Sequence, residues 1–66
     1  MKFTVCDFSD YFGYLYLTTE DYEMETAIDV SMFYDEDAEE WDDEAIRETA
    51  ERTVKERFGS SATIEW

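Results

Sequence analysis

The residues from Asp21 to Asp35 alternate almost strictly between acidic or small side chains and apolar ones. The odd positions are Asp21, Glu23, Glu25, Ala27, Asp29, Ser31, Phe33 and Asp35, and the even positions are Tyr22, Met24, Thr26, Ile28, Val30, Met32 and Tyr34. A period of two is that of a β-strand, in which successive side chains point to opposite faces. The pattern therefore predicts one long strand, bulged or bent, with an apolar inner face and an acidic outer face.

Two shorter strands are expected before it. Residues 2–8 contain Phe, Thr and Val, which favour the extended conformation. Residues 9–13 read as a turn, and a second strand follows over residues 14–19. The connection to the long strand falls at residues 19–21. In the second strand, one face holds Leu15 and Leu17 and the other holds Tyr14 and Tyr16.

A helix is predicted within residues 35–58. Its apolar stripe repeats every four residues, at Ile46, Ala50, Val54 and Phe58. Asp37 and Glu40 have the spacing of a capping box, and Gly59 stands where a helix-terminating glycine belongs. Whether residues 36–58 form one helix or two is left open. Opposite charges four residues apart predict ion pairs along the helix, at Arg47–Glu51, Glu48–Arg52, Glu51–Lys55 and Arg52–Glu56.

These elements predict a single α+β domain over residues 1–66. We expect a small antiparallel sheet, made of a three-stranded meander plus a short strand at residues 62–66, with one long helix packed on one face. A chain this short buries only roughly 60% of its unfolded surface. Its hydrophobic content of 44% and aromatic content of 18% are nevertheless enough for a folded core.

The charge is large and unevenly distributed. The chain has a net charge of −14, and residues 1–44 hold fifteen acidic residues against Lys2 alone. Residues 45–66 hold four acidic and four basic residues and are neutral overall. Such a chain is not expected to bind nucleic acid or anionic membranes directly, because both contacts need Lys and Arg. An acidic region beside a neutral helix instead predicts a surface for a basic partner.

The spacing of the acids points to the same class of partner. Alternate strand residues lie about 6.7 Å apart, which is similar to the separation of phosphates along a nucleic-acid strand. A second, denser run of acids follows the predicted strand. The predicted partner-binding residues are Asp21, Glu23, Glu25, Asp29, Asp35, Glu36, Asp37, Glu39, Glu40, Asp42, Asp43 and Glu44.

Metal binding and catalysis receive little support. An EF-hand loop starting at Asp35 would need Gly at its sixth position and Glu at its twelfth, where the chain has Glu40 and Ile46. The chain has no His and one Cys, so we expect no metal site, no cofactor and no enzymatic activity. Cys6 is expected to be a small buried apolar residue. The aromatic residues Tyr11, Phe12, Tyr14 and Tyr16 belong either to the core or to an interface.

The alternation Asp21-Tyr22-Glu23-Met24-Glu25 and the acidic run from Asp35 to Glu44 carry a resemblance. The chain resembles the small acidic inhibitors that phages use against host defence, and among them most closely the short α+β anti-CRISPR proteins. Many of these inhibitors are DNA mimics. The resemblance implies a basic nucleic-acid-binding partner, such as a Cascade subunit of a type I CRISPR complex, blocked by occupancy of its DNA-binding surface in the cytoplasm of the host bacterium.

Two other interpretations of the acidic sequence remain. The chain could be an acidic adaptor or regulatory module that binds a protein through a sheet edge or its aromatic residues, unrelated to nucleic acid. It could also be an ordinary domain of a halophile, although the uneven distribution of charge argues against this. The first alternative predicts binding that survives high salt, and the second predicts folding only in concentrated salt.

Overall fold

The computed structural model describes residues 1–66, and its main sheet has four strands. The elements in chain order are β1 (Lys2–Ser9), β2 (Tyr14–Thr19), β3 (Glu25–Asp29), a 3-10 turn (Ser31–Phe33), β4 (Tyr34–Asp35), β5 (Glu40–Trp41), α1 (Asp43–Phe58) and β6 (Thr63–Glu65). The sheet order is β3-β2-β1-β6, and β4 pairs with β5 in a separate hairpin. The α+β architecture predicted from the sequence is confirmed.

The sheet is mixed rather than wholly antiparallel. Strands β1, β2 and β3 form the predicted antiparallel meander, but β6 pairs with β1 in parallel, with Phe3 opposite Ile64. A parallel pair needs a long crossover, and here the chain between β3 and β6, which includes α1, supplies it.

The helix is neither long nor apolar enough to cross a lipid bilayer.

One cluster of buried side chains joins the sheet to the helix. The predicted stripe of α1 is confirmed, because Ile46, Ala50 and Val54 are all buried. Phe58, the last residue of the stripe, is half-buried, with its ring centroid 4.9 Å from that of Phe3. The complete buried cluster comprises Phe3, Leu15, Leu17, Ile28, Val30, Ile46, Ala50, Val54 and Ala62.

A β-bulge at Cys6 reverses the alternation of β1. Val5 pairs with Leu17 and Asp7 pairs with Tyr16, so Cys6 is the extra residue. Phe3 and Val5 lie on the helix side before the bulge, whereas Phe8, opposite the buried Leu15, lies there after it. Cys6 itself is exposed, so the prediction that it is buried is wrong.

The predicted long strand from Asp21 to Asp35 is wrong at both ends. Within this range, Glu25–Asp29 forms β3, and Tyr34–Asp35 belongs to a different strand, β4, in the separate hairpin. Asp21 accepts a hydrogen bond from the backbone N–H of Glu23 at 3.1 Å, and Asp29 accepts one from the N–H of Ser31 at 3.0 Å. Such local bonds compete with strand pairing. Between them, the backbone leaves the β region at Tyr22, which has φ of 60° and an exposed side chain.

The helix begins eight residues later than Asp35, and the predicted capping box is wrong. Asp37 and Glu40 belong to the β4–β5 hairpin, in which Asp35 pairs with Glu40. The Asp35 carboxylate accepts hydrogen bonds from the N–H groups of Asp37 and Ala38, at 3.0 and 3.2 Å, and so holds the hairpin turn. One helix of 16 residues follows, from Asp43 to Phe58.

Both ends of α1 are capped. At its start, Asp42 accepts a hydrogen bond from the N–H of Ala45 at 3.1 Å. At its end, Gly59 has φ of 106° and donates its N–H to the carbonyl of Lys55, as its position predicted. The ion pairs predicted along the helix are absent, because the single ion pair within 4.0 Å joins Lys2 to Glu65, at 3.1 Å.

Candidate functional site

All twelve predicted partner-binding acids are exposed, and none forms an ion pair. The one ion pair of the chain uses Glu65, which is not among them. None of the four basic side chains of α1 forms an ion pair with an acid. Lys55 donates to the carbonyl of Ala62 at 2.9 Å, and Arg47 lies over the ring of Trp66, at 5.6 Å from its centroid. The exposed acids are Asp21, Glu23, Glu25, Asp29, Asp35, Glu36, Asp37, Glu39, Glu40, Asp42, Asp43 and Glu44.

These acids do not form one continuous wall. Asp21 and Glu23 lie in the β2–β3 turn, beside Lys2. The hairpin acids, defined as the acidic residues within 35–40, belong to the β4–β5 hairpin. That hairpin packs near Gly13, at the opposite end of the sheet. Between the two groups, β3 carries Glu25 and Asp29 on one face.

The phosphate-like spacing predicted along a single strand is therefore wrong for Asp21 and Glu23. Only Glu25 and Asp29 lie on the same strand face, four residues apart. At a rise of about 3.3–3.4 Å per residue, they are separated by roughly 13 Å along the strand. Any similarity between the spacing of these carboxylates and that of phosphates must therefore come from several elements together and not from one strand.

Two of the twelve carboxylates are held as anions by neighbouring hydrogen-bond donors. The hydroxyl of Thr19 donates to Asp21 at 2.7 Å, and this bond, with that from the Glu23 N–H, lowers the pKa of Asp21. The hydroxyl of Ser31 donates to Asp29 at 2.7 Å and, together with the Ser31 N–H, lowers the pKa of Asp29. Both charges therefore persist to more acidic pH than those of ordinary aspartates.

Hydrogen bonds to the backbone divide the twelve acids into two kinds. Four aspartates shape the backbone, because each accepts a hydrogen bond from a main-chain N–H group two or three residues later in the chain. They are Asp21, Asp29, Asp35 and Asp42. The other eight make no such bond and are free to meet a partner. They are Glu23, Glu25, Glu36, Asp37, Glu39, Glu40, Asp43 and Glu44.

The face of the sheet opposite α1 carries acids and tyrosines together. Asp7 joins this face only because of the bulge at Cys6, which is why the alternation of the sequence did not reveal it. A groove of about 630 Å³ runs over the face beside Tyr16 and Ala27. Three rows of paired residues cross this face of the sheet, namely Thr4–Thr18–Glu25, Asp7–Tyr16–Ala27 and Ser9–Tyr14–Asp29.

The aromatic cluster that the sequence left open lies at the surface. Tyr11 and Phe12, at the tip of the β1–β2 turn, are 87% and 67% exposed. Their rings meet edge to face, with centroids 4.9 Å apart. Tyr14 and Tyr16 lie on the sheet face opposite α1, with their ring centroids 6.2 Å apart. None of the four belongs to the buried cluster.

No group of three or more His, Cys, Asp or Glu side chains converges as a metal site would require. Comparisons of the chain with protein-family models, with curated proteins and with solved structures found no match.

Proposed function

We propose that this chain is an acidic inhibitor that occupies the basic nucleic-acid-binding surface of another protein. The observation that carries the proposal is that twelve acids are exposed and free of any cationic partner within the chain. Carboxylates that pair internally would present little net field to a partner. These present almost all of a net charge of −14.

Electrostatics explains how such a surface would find its target. At physiological ionic strength, charges act over about 8 Å, so an acidic region attracts a basic groove before contact. Complementary charges speed association more than they tighten it. Affinity would then come from contacts at close range, for which the eight acids without backbone bonds are available.

The dimensions of the molecule suit a protein groove that binds nucleic acid. Its Cα atoms span 37 × 20 × 17 Å. The long dimension equals the length of about 11 base pairs at a rise of 3.4 Å each. With Asp21 and Glu23 at one end of the sheet and the hairpin acids at the other, the chain would meet two separated basic patches of one groove.

The target class follows from the resemblance to anti-CRISPR proteins. We propose a nucleic-acid-binding protein of a host defence system, such as a subunit of a type I CRISPR surveillance complex, in the cytoplasm of the host bacterium. Inhibition would work by occupancy, so bound inhibitor and bound target DNA would exclude each other.

The test is competition between this chain and duplex DNA for a purified type I surveillance complex. We expect binding at 50 mM salt, loss of most binding at 500 mM salt, and displacement by target DNA. A variant with Glu36→Gln and Glu40→Gln should bind at least tenfold more weakly. These residues make no backbone cap, so the fold should survive.

The matched control is Glu48→Gln with Glu56→Gln, which removes exposed acids from α1. We expect it to bind within about twofold of the parent. Equal weakening by both variants would mean that net charge alone matters. Binding by the parent that DNA never displaces would exclude the proposed mechanism.

The exposed aromatic tip favours the adaptor function as a second candidate. Tyr11 and Phe12 stand in solvent where a purely electrostatic mimic needs no aromatic residues. An adaptor would bind its partner equally well at low and high salt. Tyr11→Ser and Phe12→Ser would then abolish binding, whereas the substitutions of the hairpin acids would not.

A further inference from the structure

A pocket of about 430 Å³ lies between the β1–β2 turn and the β4–β5 hairpin. Its volume is within the range of small ligand sites. Two kinds of side chain dominate its walls, aromatic rings and carboxylates, and no Lys or Arg lines it. The residues concerned are Asp10, Tyr11, Phe12, Tyr34, Glu39 and Trp41.

The two walls of the pocket are fixed to each other by close backbone contact. Gly13 has φ of 72°, and a Cβ there would lie 2.5 Å from the Cβ of Ser31. The N–H of Val30 donates to the Gly13 carbonyl at 2.8 Å. On the hairpin side, the N–H of Asp42 donates to the Phe33 carbonyl at 2.9 Å. The backbone on the two sides of the pocket is therefore held in place by the fold.

The aromatic rings are held by one another. Trp41 meets Phe8 edge to face with centroids 5.1 Å apart, and meets Tyr34 at 5.0 Å. Trp41 is half-buried, whereas Tyr34 and Tyr11 are exposed. Rings supported on one side and open on the other can accept a flat cation against their faces.

The charges select the sign of the ligand. Asp10 and Glu39 are exposed and form no ion pair. A guanidinium combines a flat face for stacking with a fork of donors for carboxylates, which a lysine ammonium lacks. Stacking of a guanidinium on an indole already occurs within the chain, where Arg47 lies over the ring of Trp66 at 5.6 Å from its centroid.

We propose that this pocket binds an arginine side chain of the partner protein. The guanidinium stacks against the aromatic wall, while Asp10 and Glu39 accept its N–H groups. The identity of the arginine's owner rests on the proposed function, but binding of a guanidinium does not. The pocket would give an acidic surface a specific anchor, which charge attraction alone does not provide.

The experiment is a titration of the intact chain with N-acetyl-arginine amide, followed by two-dimensional NMR. We expect saturable shifts of the Trp41 indole N–H, with a dissociation constant on the order of millimolar. The Trp66 indole serves as an internal reference and should move little. The citrulline analogue, which is neutral but of the same shape, should cause no saturable shift. The lysine analogue should bind at least threefold more weakly.

Variants locate the site. Asp10→Asn with Glu39→Gln should raise the dissociation constant at least threefold, and so should Tyr11→Ala, whose side chain is too exposed to support the fold. Glu48→Gln with Glu56→Gln should leave it unchanged. Equal binding of citrulline or of lysine, shifts spread over all acidic residues, or no saturation would each overturn the proposal.

The outcome is distinguishable from that of the proposed function. Arginine binding without competition against DNA would remove the inhibitor function and leave the pocket. Competition against DNA without arginine binding would remove the pocket alone.

Discussion

The guanidinium of Arg57 donates to the backbone carbonyl of Ala27 at 3.1 Å, thirty residues away in sequence. The same group donates to the Thr26 hydroxyl at 2.6 Å. Strand β3 is at the edge of the sheet, and Ala27 lies in the middle of it. The Arg57 side chain, from the last turn of α1, therefore covers part of an open strand edge, which is otherwise a template for pairing with other chains.

Replacing Arg57 should cost more stability than replacing a neighbouring arginine. We expect Arg57→Ala to lower the free energy of unfolding by about 1 kcal/mol, because two hydrogen bonds of a charged but exposed group are lost. Arg52→Ala is the matched control, since Arg52 is exposed on the same helix and pairs with no acid. Urea denaturation of both variants measures the difference, and equal losses would show that the contact with β3 adds no stability.

The start of α1 should depend on one carboxylate among three consecutive acids. Asp42→Ala should cost about 1 kcal/mol, because it removes the oxygen that accepts the Ala45 N–H. Asp42→Ser keeps an acceptor and should cost far less. Asp43→Ala, which removes only a favourable charge near the helix dipole, should cost about 0.3–1 kcal/mol. Thermal unfolding followed by circular dichroism measures these losses of stability. If Asp42→Ser cost as much as Asp42→Ala, the Asp42 side chain would not be the cap of the helix.

Gly13 should resist substitution for a steric reason. An added Cβ would meet the Ser31 side chain at 2.5 Å and its backbone at 2.8 Å. We expect Gly13→Ala to cost about 2 kcal/mol or more, from overpacking and from the positive φ. Asn tolerates positive φ but carries the same Cβ. Gly13→Asn should therefore be nearly as damaging as Gly13→Ala in urea denaturation, whereas a mild effect would mean that backbone conformation alone requires glycine.

The carboxylate of Asp29 should titrate below its ordinary range until its donor is removed. The folded-state pKa is lowered chiefly by the Ser31 hydroxyl. A carboxylate whose pKa is lowered by folding stabilises the folded state at any pH above its pKa in the unfolded chain. This stabilisation is lost below about pH 4, as the pH falls through the pKa in the folded state. Ser31→Ala should move the Asp29 midpoint upward, as measured by NMR of the side-chain carboxyl carbon. Asp21, whose main donor is Thr19, should be unaffected and serves as the control.

The parts of the fold that the sequence predicted are those with an uninterrupted period. The residues of β2 alternate between Leu and Tyr along a regular strand, and Ile46, Ala50 and Val54 repeat every four residues along an unbroken helix. In both elements one face is buried against the core, so the pattern of apolar residues and the structure describe the same surface.

The errors occurred where a local bond or an extra residue interrupts the period. Asp21 and Asp29 form side-chain bonds to the backbone ahead of them, and these end the strand that the alternation extends through. The bulge at Cys6 has no marker in the sequence, so the transfer of Asp7 to the face opposite α1 could not be foreseen. The acids of β4 and β5 have low strand propensity, and their pairing depends on Tyr34 and Trp41.

The exposure of the twelve acids was predictable from the sequence, but their arrangement was not. Exposure of the twelve acids follows from the cost of burying a charge. Their division between two ends of the sheet follows from the turn after Thr19 and from the hairpin after Phe33, neither of which the alternation indicates. The aromatic pocket was missed because Tyr11 and Trp41 are distant in sequence and come to line one pocket only where Gly13 approaches Ser31.

Salt should act on folding and on partner binding in opposite directions. Within the chain, a net charge of −14 on 66 residues is self-repulsive, and screening relieves that repulsion. We expect the melting temperature to rise by several degrees between 10 and 500 mM NaCl, since about 1 kcal/mol corresponds to about 4–8 °C in a domain of this size. Over the same range, association with a basic partner should weaken, because the attraction is screened too. Sodium sulfate at equal ionic strength separates screening from salting-out, which should add further stability. A melting temperature that does not change with NaCl would mean that the exposed acids do not strain the fold. A chain that is unfolded below molar salt would instead be the domain of a halophile.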